Sequence, residues 1–120
     1  MEGCGYSECG QLGSGDEAHA VTITKQIIMK DNQIEMICCG FEHTILLKRN
    51  NDVFVCGSNE YGQIGLGEEV EKVSIFTILM KEIEIQKIQC GSFHSLILKR
   101  NSNEFNTFGK NKHGQVLYIF

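Results

Sequence analysis

One relationship inside the chain restricts its fold more than any other: the sequence repeats itself. Residues 34–50 read IEMICCGFEHTILLKRN and residues 85–101 read IQKIQCGSFHSLILKRN. Nine of the 17 aligned positions are identical at an offset of 51: Ile34, Ile37, Cys39, Gly40, His43, Leu47, Lys48, Arg49 and Asn50. A second element occurs three times, as CGYSECGQLG from Cys4, CGSNEYGQIG from Cys56 and FGKNKHGQVL from Phe108, each displaced by 52 residues. The extra residue falls in a loop, where Asn50-Asn51-Asp52 becomes Asn101-Ser102-Asn103-Glu104. Two interleaved motifs on one period describe an array of like units that bury their apolar faces by stacking on one another.

Inside one period the pattern is β. Ala20 to Ile28 carries Val, Ile and Thr in imperfect alternation, which suits a half-buried strand. Further strands are expected at Ile34–Cys38, His43–Lys48 and Val53–Cys56, and in the next period at Val73–Met80, Ile83–Gln89, His94–Lys99 and Phe105–Phe108. Gly40 and Gly91 interrupt consecutive runs, as tight antiparallel connections require. Asn50-Asn51-Asp52 offers residues that tolerate left-handed backbone and reads as a hairpin turn. About four short strands per ~50 residues is the period of a propeller blade. A kelch-type blade would show a Gly-Gly pair and a WD-type blade a Trp-Asp pair; the chain has no Gly-Gly and no tryptophan.

Composition narrows the function classes. The 120 residues, 42% hydrophobic and 22% charged, are ordinary for a globular chain. A net charge of −4 with two arginines, Arg49 and Arg100, argues against a partner held by phosphate contacts, so direct nucleic-acid binding is not expected. No apolar run reaches about 18 residues and no charged-then-apolar leader precedes a small-residue cleavage site, so neither a membrane span nor secretion is expected. The six cysteines are then expected as thiols, in cytoplasm or nucleus.

The two motifs resemble the regulator of chromosome condensation repeat, whose pattern is an aromatic-Gly, x-N-x-x-G-Q-L-G, and later C-G-x-x-H-T before an apolar strand. Residues 56–65 match the first element, with Cys56 in the aromatic position, and residues 39–44 and 90–95 match the second. The resemblance implies an all-β fold of antiparallel four-stranded propeller blades. The chain is expected to hold two near-complete blades, an open arc, plus the start of a third, within one repeat region over 1–120. Its units fall at about 1–51, 52–103 and a partial 104–120. Family members close rings of about seven blades, so this length corresponds to part of a ring, and its open strand edges would invite self-association. The chain departs from the family in having no proline, and after Gly114-Gln115 it reads VLYIF without the expected glycine.

The repeated residues read as parts of the blade: Gly5, Gly10, Gln11, Gly13, Cys39, Gly40, His43, Gly57, Gly62, Gln63, Gly65, Cys90, Gly91, His94, Gly109, Gly114 and Gln115. The duplicated Cys-x₃-His lacks the spacing of a common zinc module, and packing explains a residue recurring in every unit more economically than a metal does. Cys4 and Cys56 share a slot with Phe108, as a packing position would, and Cys9 aligns with Tyr61 and His113, as an exposed, unconstrained one would. Cys38, aligned with Gln89, has no counterpart, and a redox or metal role for Cys9 and Cys38 is a minor alternative. GQLGSGD and GQIGLGE lack the Lys and Ser or Thr of a phosphate loop, so no cofactor is expected. No nucleophile, base or acid pair stands out, so no enzyme is expected. Function then falls to loops on a rigid scaffold, with Asp16, Glu17, Glu68, Glu69 and Glu71 as a candidate rim facing a protein partner. The resemblance supplies an alternative, guanine nucleotide exchange on a Ran-type GTPase, although neither unit has an insertion matching the founding member's β-hairpin wedge. The remaining alternative is a truncated or decayed fragment without independent function.

Overall fold

The computed structural model describes residues 2–5, 9–11, 13, 21–27, 33–81, 84–102 and 104–110. Nine strands are assigned among them: β1 (Glu2–Gly5), β2 (Val21–Ile27), β3 (Ile34–Cys39), β4 (His43–Lys48), β5 (Val53–Ser58), β6 (Lys72–Met80), β7 (Ile85–Cys90), β8 (His94–Lys99) and β9 (Phe105–Gly109). No described residue is helical. Strands β4 and β8 fall on the residues expected from the alternation, β1 falls where no strand is expected, and the other six lie within two residues of their expected ends.

The strands form three antiparallel sheets in chain order, β1-β2, β3-β4-β5-β6 and β7-β8-β9. The sheets are out of phase with the sequence period. The four-stranded blade takes β3 and β4 from one sequence unit and β5 and β6 from the next. The covalent step between units is therefore the hairpin turn between β4 and β5, and five register pairs from His43↔Gly57 to Leu47↔Val53 bridge it. Asn51 at that turn has φ 69°, and Asn101 has φ 60° at the equivalent turn, in the left-handed region that asparagine enters more readily than most residues.

Packing between sheets explains why β4 is apolar on both faces. His43, Thr44, Ile45, Leu46 and Leu47 are all buried. Ile45 and Leu47, with Val53 and Val55 of β5, meet Ile85, Ile88 and Ile97 of the next sheet in one apolar cluster. Burying such side chains contributes roughly 1.5–3 kcal/mol each. On the opposite face Thr44 reaches the loop carrying Gln11. In β8 the burial alternates: Ser95 and Ile97 face the four-stranded sheet and are buried, whereas His94, Leu96 and Leu98 are half-buried.

Candidate functional site: the loop end of two blades

The repeated residues make repeated contacts. The Thr44 hydroxyl donates to the Gln11 carbonyl at 2.6 Å, and the Ser95 hydroxyl, one unit later, donates to the Gln63 carbonyl at 2.7 Å. Each of those glutamines turns its side-chain oxygen to the amide two residues before it, Cys9 N–H to Gln11 Oε1 at 3.0 Å and Tyr61 N–H to Gln63 Oε1 at 2.9 Å. The Gly40 and Gly91 amides donate across their hairpins to the His43 and His94 carbonyls, and the two imidazoles cover the space a Cβ would need at those glycines. Gly10, Gly13, Gly57, Gly62, Gly65 and Gly109 all have positive φ. The requirement is tightest at Gly57, φ 109°, where a Cβ would fall on the Glu42 carbonyl oxygen. Gly5 ends β1. Gly114, Gln115, Asp16 and Glu17 lie outside the described residues.

His43 joins the two larger sheets. Its Nε2 lies 2.9 Å from Ser95 Oγ, whose single proton is already given to the Gln63 carbonyl, so Nε2 carries the hydrogen and donates. Nδ1 is then a bare acceptor, and it has no partner among the described residues. Burial, with the nearby His94 imidazole adding a smaller push, lowers the His43 pKa to about 4, partly opposed by the His94 backbone. The imidazole is neutral at physiological pH and acts as a hydrogen-bond donor in a dry seam. Cys56 is likewise buried. Its thiol donates to the Gln11 carbonyl at 3.3 Å, and burial pushes its pKa up to about 12, out of the range of a nucleophile. Cys39 is exposed on β3, with the Thr44 hydroxyl 3.8 Å from its sulfur. Cys90 meets a different thiol, that of Cys38, at 2.8 Å.

At one end of the two sheets the loops gather an aromatic cluster that the repeat alignment does not show. Phe41, from the β3–β4 hairpin, stacks on Phe93, from the β7–β8 hairpin, with centroids 5.6 Å apart and planes at 26°. Tyr61 packs edge-on against Phe93 at 5.3 Å. The Lys110 ammonium lies 4.8 Å from the Tyr61 centroid and 5.2 Å from that of Phe93. A backbone bond from Phe41 N–H to the Ser92 carbonyl, 2.9 Å, fixes the two hairpins against each other. Phe41 nonetheless remains 71% exposed, far more than a packing residue of its size. The position shared by Cys9, Tyr61 and His113 was expected to be unconstrained. At Tyr61 it is exposed but held, by Phe93, by Lys110 and by Gln63.

Beside the cluster runs the 59–71 loop. The buried Asn59 organises it, donating from Nδ2 to the Gly67 and Val70 carbonyls, both at 2.8 Å, and accepting the Ile64 amide on Oδ1 at 3.2 Å. Glu60, Tyr61 and Glu68 line a cavity of about 610 Å³ that extends to Phe108. Glu60, Glu68, Glu71 and Lys72 line an adjoining one of about 460 Å³. Glu68, Glu69 and Glu71 are exposed. No group of three or more His, Cys, Asp or Glu among the described residues is arranged to hold a metal ion, and no described helix is long and apolar enough to cross a membrane.

Stacked antiparallel sheets of four and three strands, joined in chain order and stapled by recurring glutamine-loop contacts, define an arc of β-propeller blades. Two models described as the regulator of chromosome condensation (RCC1) repeat match the chain, one at residues 36–63 and 85–115 and the other at 50–98. The chain belongs to the RCC1 repeat family. Among its relatives, the human probable E3 ubiquitin-protein ligase HERC6 is 31% identical over 120 residues, covering 94% of this chain and 11% of that protein. The Xenopus laevis protein RCC2 homolog is 34% identical over 114 residues, covering 93% and 22%. The chain thus spans about a tenth to a fifth of the length of these relatives. The fold is shared with yeast RCC1 (Prp20), solved bound to Kap60, at a TM-score of 0.79 and 23% identity over 92% of this chain and 28% of that one. It is also shared with human WBSCR16, at a TM-score of 0.73 and 17% identity over 90% and 28%.

Proposed function

We propose that this chain is a non-enzymatic propeller module, a single repeat region, that binds a protein partner carrying a basic segment through its loop end. The observation that carries this reading is Phe41, a large aromatic side chain 71% exposed yet fixed in place by the Phe93 stack. A rigid exposed aromatic is the usual anchor of a protein interface. Glu60 and Glu68, which line a cavity with Tyr61 of the same aromatic cluster, and the exposed Glu69 and Glu71 of the same loop supply charge that favours lysine and arginine, and the net charge of −4 has the same sign. The repeated glycines, glutamines, Cys39, Cys90, His43 and His94 build the blades that hold these loops. Protein partners are in keeping with solved relatives: Prp20 has been crystallised with Kap60, and its binding to Gsp1p and histones has been studied. The setting we propose is cytoplasm or nucleus, and self-association through open strand edges adds a second kind of partner.

Fluorescence anisotropy of a labelled Lys- and Arg-rich peptide tests the reading. Binding should fall on the order of tenfold in Phe41→Ala and become less salt-dependent in Glu60→Gln/Glu68→Gln. Equal binding by wild type and Phe41→Ala, or none by either, overturns it. A second reading, regulation of a small GTPase, is favoured by one relative, the Caenorhabditis elegans X-linked retinitis pigmentosa GTPase regulator homolog, 32% identical over 97% of this chain. A nucleotide-release assay with a Ran-type GTPase separates the two, and the module reading expects no acceleration.

A further inference from the structure

We propose that Cys38 and Cys90 form a reversible oxidation site, at which hydrogen peroxide converts two thiols into a disulfide joining adjacent blades. Their sulfurs lie 2.8 Å apart, although the residues are 52 positions distant in the chain. They stand on β3 and β7, the first strands of consecutive sheets, which pack directly on each other. The repeat does not account for the pair. Cys90 is the counterpart of Cys39, and Gln89 takes the place of Cys38 in the next unit, so this juxtaposition exists once among the described residues. Both thiols are half-buried and so partly open to a small oxidant, and a cavity of about 300 Å³ lined by Cys90, Gly91, His94 and Ser95 adjoins the Cys90 side of the pair.

The two sulfurs are not equivalent. The hydrogen bond between the two sulfurs holds the Cys38 pKa below its ordinary value against the opposing effect of burial, while the same bond and burial raise that of Cys90. The steps run with Cys38 attacking and Cys90 resolving, and the product is the same with the two roles exchanged. In the first step the Cys38 thiolate attacks one peroxide oxygen. The O–O bond breaks, and the products are a Cys38 sulfenic acid and hydroxide, which takes a proton to become water. In the second step the Cys90 sulfur attacks Cys38 Sγ. The Cys38 S–O bond breaks, its oxygen leaves as water with the Cys90 proton, and the S–S bond forms. Each sulfur loses one electron, and the peroxide is reduced to two molecules of water. Closure requires the sulfurs to approach until they are bonded, and it ties β3 to β7 beneath the hairpins carrying Phe41 and Phe93.

The test treats the full chain with hydrogen peroxide under native conditions, alkylates the remaining thiols and maps disulfides by mass spectrometry. The expected product is a dithiothreitol-reversible Cys38–Cys90 link in a monomeric species, formed at a rate independent of protein concentration. In Cys38→Ser, Cys90 should stay alkylatable, whereas Cys39→Ser should form the link as the wild type does. A dominant link through Cys39 or Cys9, or a chain in which Cys38 and Cys90 both remain alkylatable while other thiols oxidise, overturns the proposal. The mapping on the unmodified chain holds even where a variant fails to fold.

Discussion

Acidification from neutrality should weaken this fold through one imidazole. His43 is buried, donates from Nε2 to Ser95, and leaves Nδ1 as an acceptor with no partner among the described residues. Protonation would place an unpaired N–H and a full charge in that dry seam, which is why burial lowers the pKa to about 4. In the unfolded chain the same group titrates near ~6.5. A folded value below the unfolded one means the unfolded chain takes up the proton first. The stabilisation is therefore complete above ~6.5, declines as the pH falls, and is gone below about 4. The whole shift corresponds to about 3 kcal/mol, of which about 2 kcal/mol is lost between pH ~7 and ~5, before most carboxylates titrate. Urea denaturation at a series of pH values reads this directly, with His43→Gln as the non-titrating control. The wild-type midpoint should fall across the window while the variant's stays nearly level. An NMR titration of the His43 ring is the independent check should the variant fold poorly. A His43 pKa near ~6.5, or parallel pH profiles for the two chains, would refute the reasoning.

Other substitutions have predictable signs. Ser95→Ala removes the acceptor of His43 and the donor to the Gln63 carbonyl together, and should cost about 1–3 kcal/mol in chemical denaturation. Gly57→Ala places a Cβ on the Glu42 carbonyl at a φ of 109°, and should lower stability by at least ~2 kcal/mol; Gly62→Ala, with open space around it, should cost less. Phe41→Ala, in contrast, should change stability by no more than about 0.5 kcal/mol while weakening peptide binding, since the side chain is mostly exposed. A large thermal shift in that variant would make Phe41 a packing residue.

Eight of the nine strand positions were legible because local alternation is reinforced by a second copy; Glu2–Gly5 was not. His43–Lys48 and His94–Lys99 share one pattern and one structure. What the period could not show is what differs between copies. His43 and His94 align, yet only His43 is sealed, because the β7-β8-β9 sheet covers its face of β4, whereas no described sheet covers the His94 face of β8. The Phe41–Phe93 stack escapes the alignment for a plainer reason. At an offset of 51, Phe41 pairs with Ser92 and Glu42 with Phe93, so two rings that meet in space look unrelated in sequence. Cys38 and Cys90 are hidden the same way, one position out of step. Asn59 lay inside the motif in plain view, but its role in tying the 59–71 loop depends on where the Gly67 and Val70 carbonyls come to rest.

The half-step between sequence unit and sheet also decides what happens if the chain is cut. The turn at Asn51 separates two units but not two sheets, because β4 and β5 on either side of it are paired along their length. A protease nick there would leave a fragment ending in β4 clasped to one beginning with β5, each supplying half of the same four-stranded sheet. Such halves, expressed separately, have a ready-made edge by which to find each other.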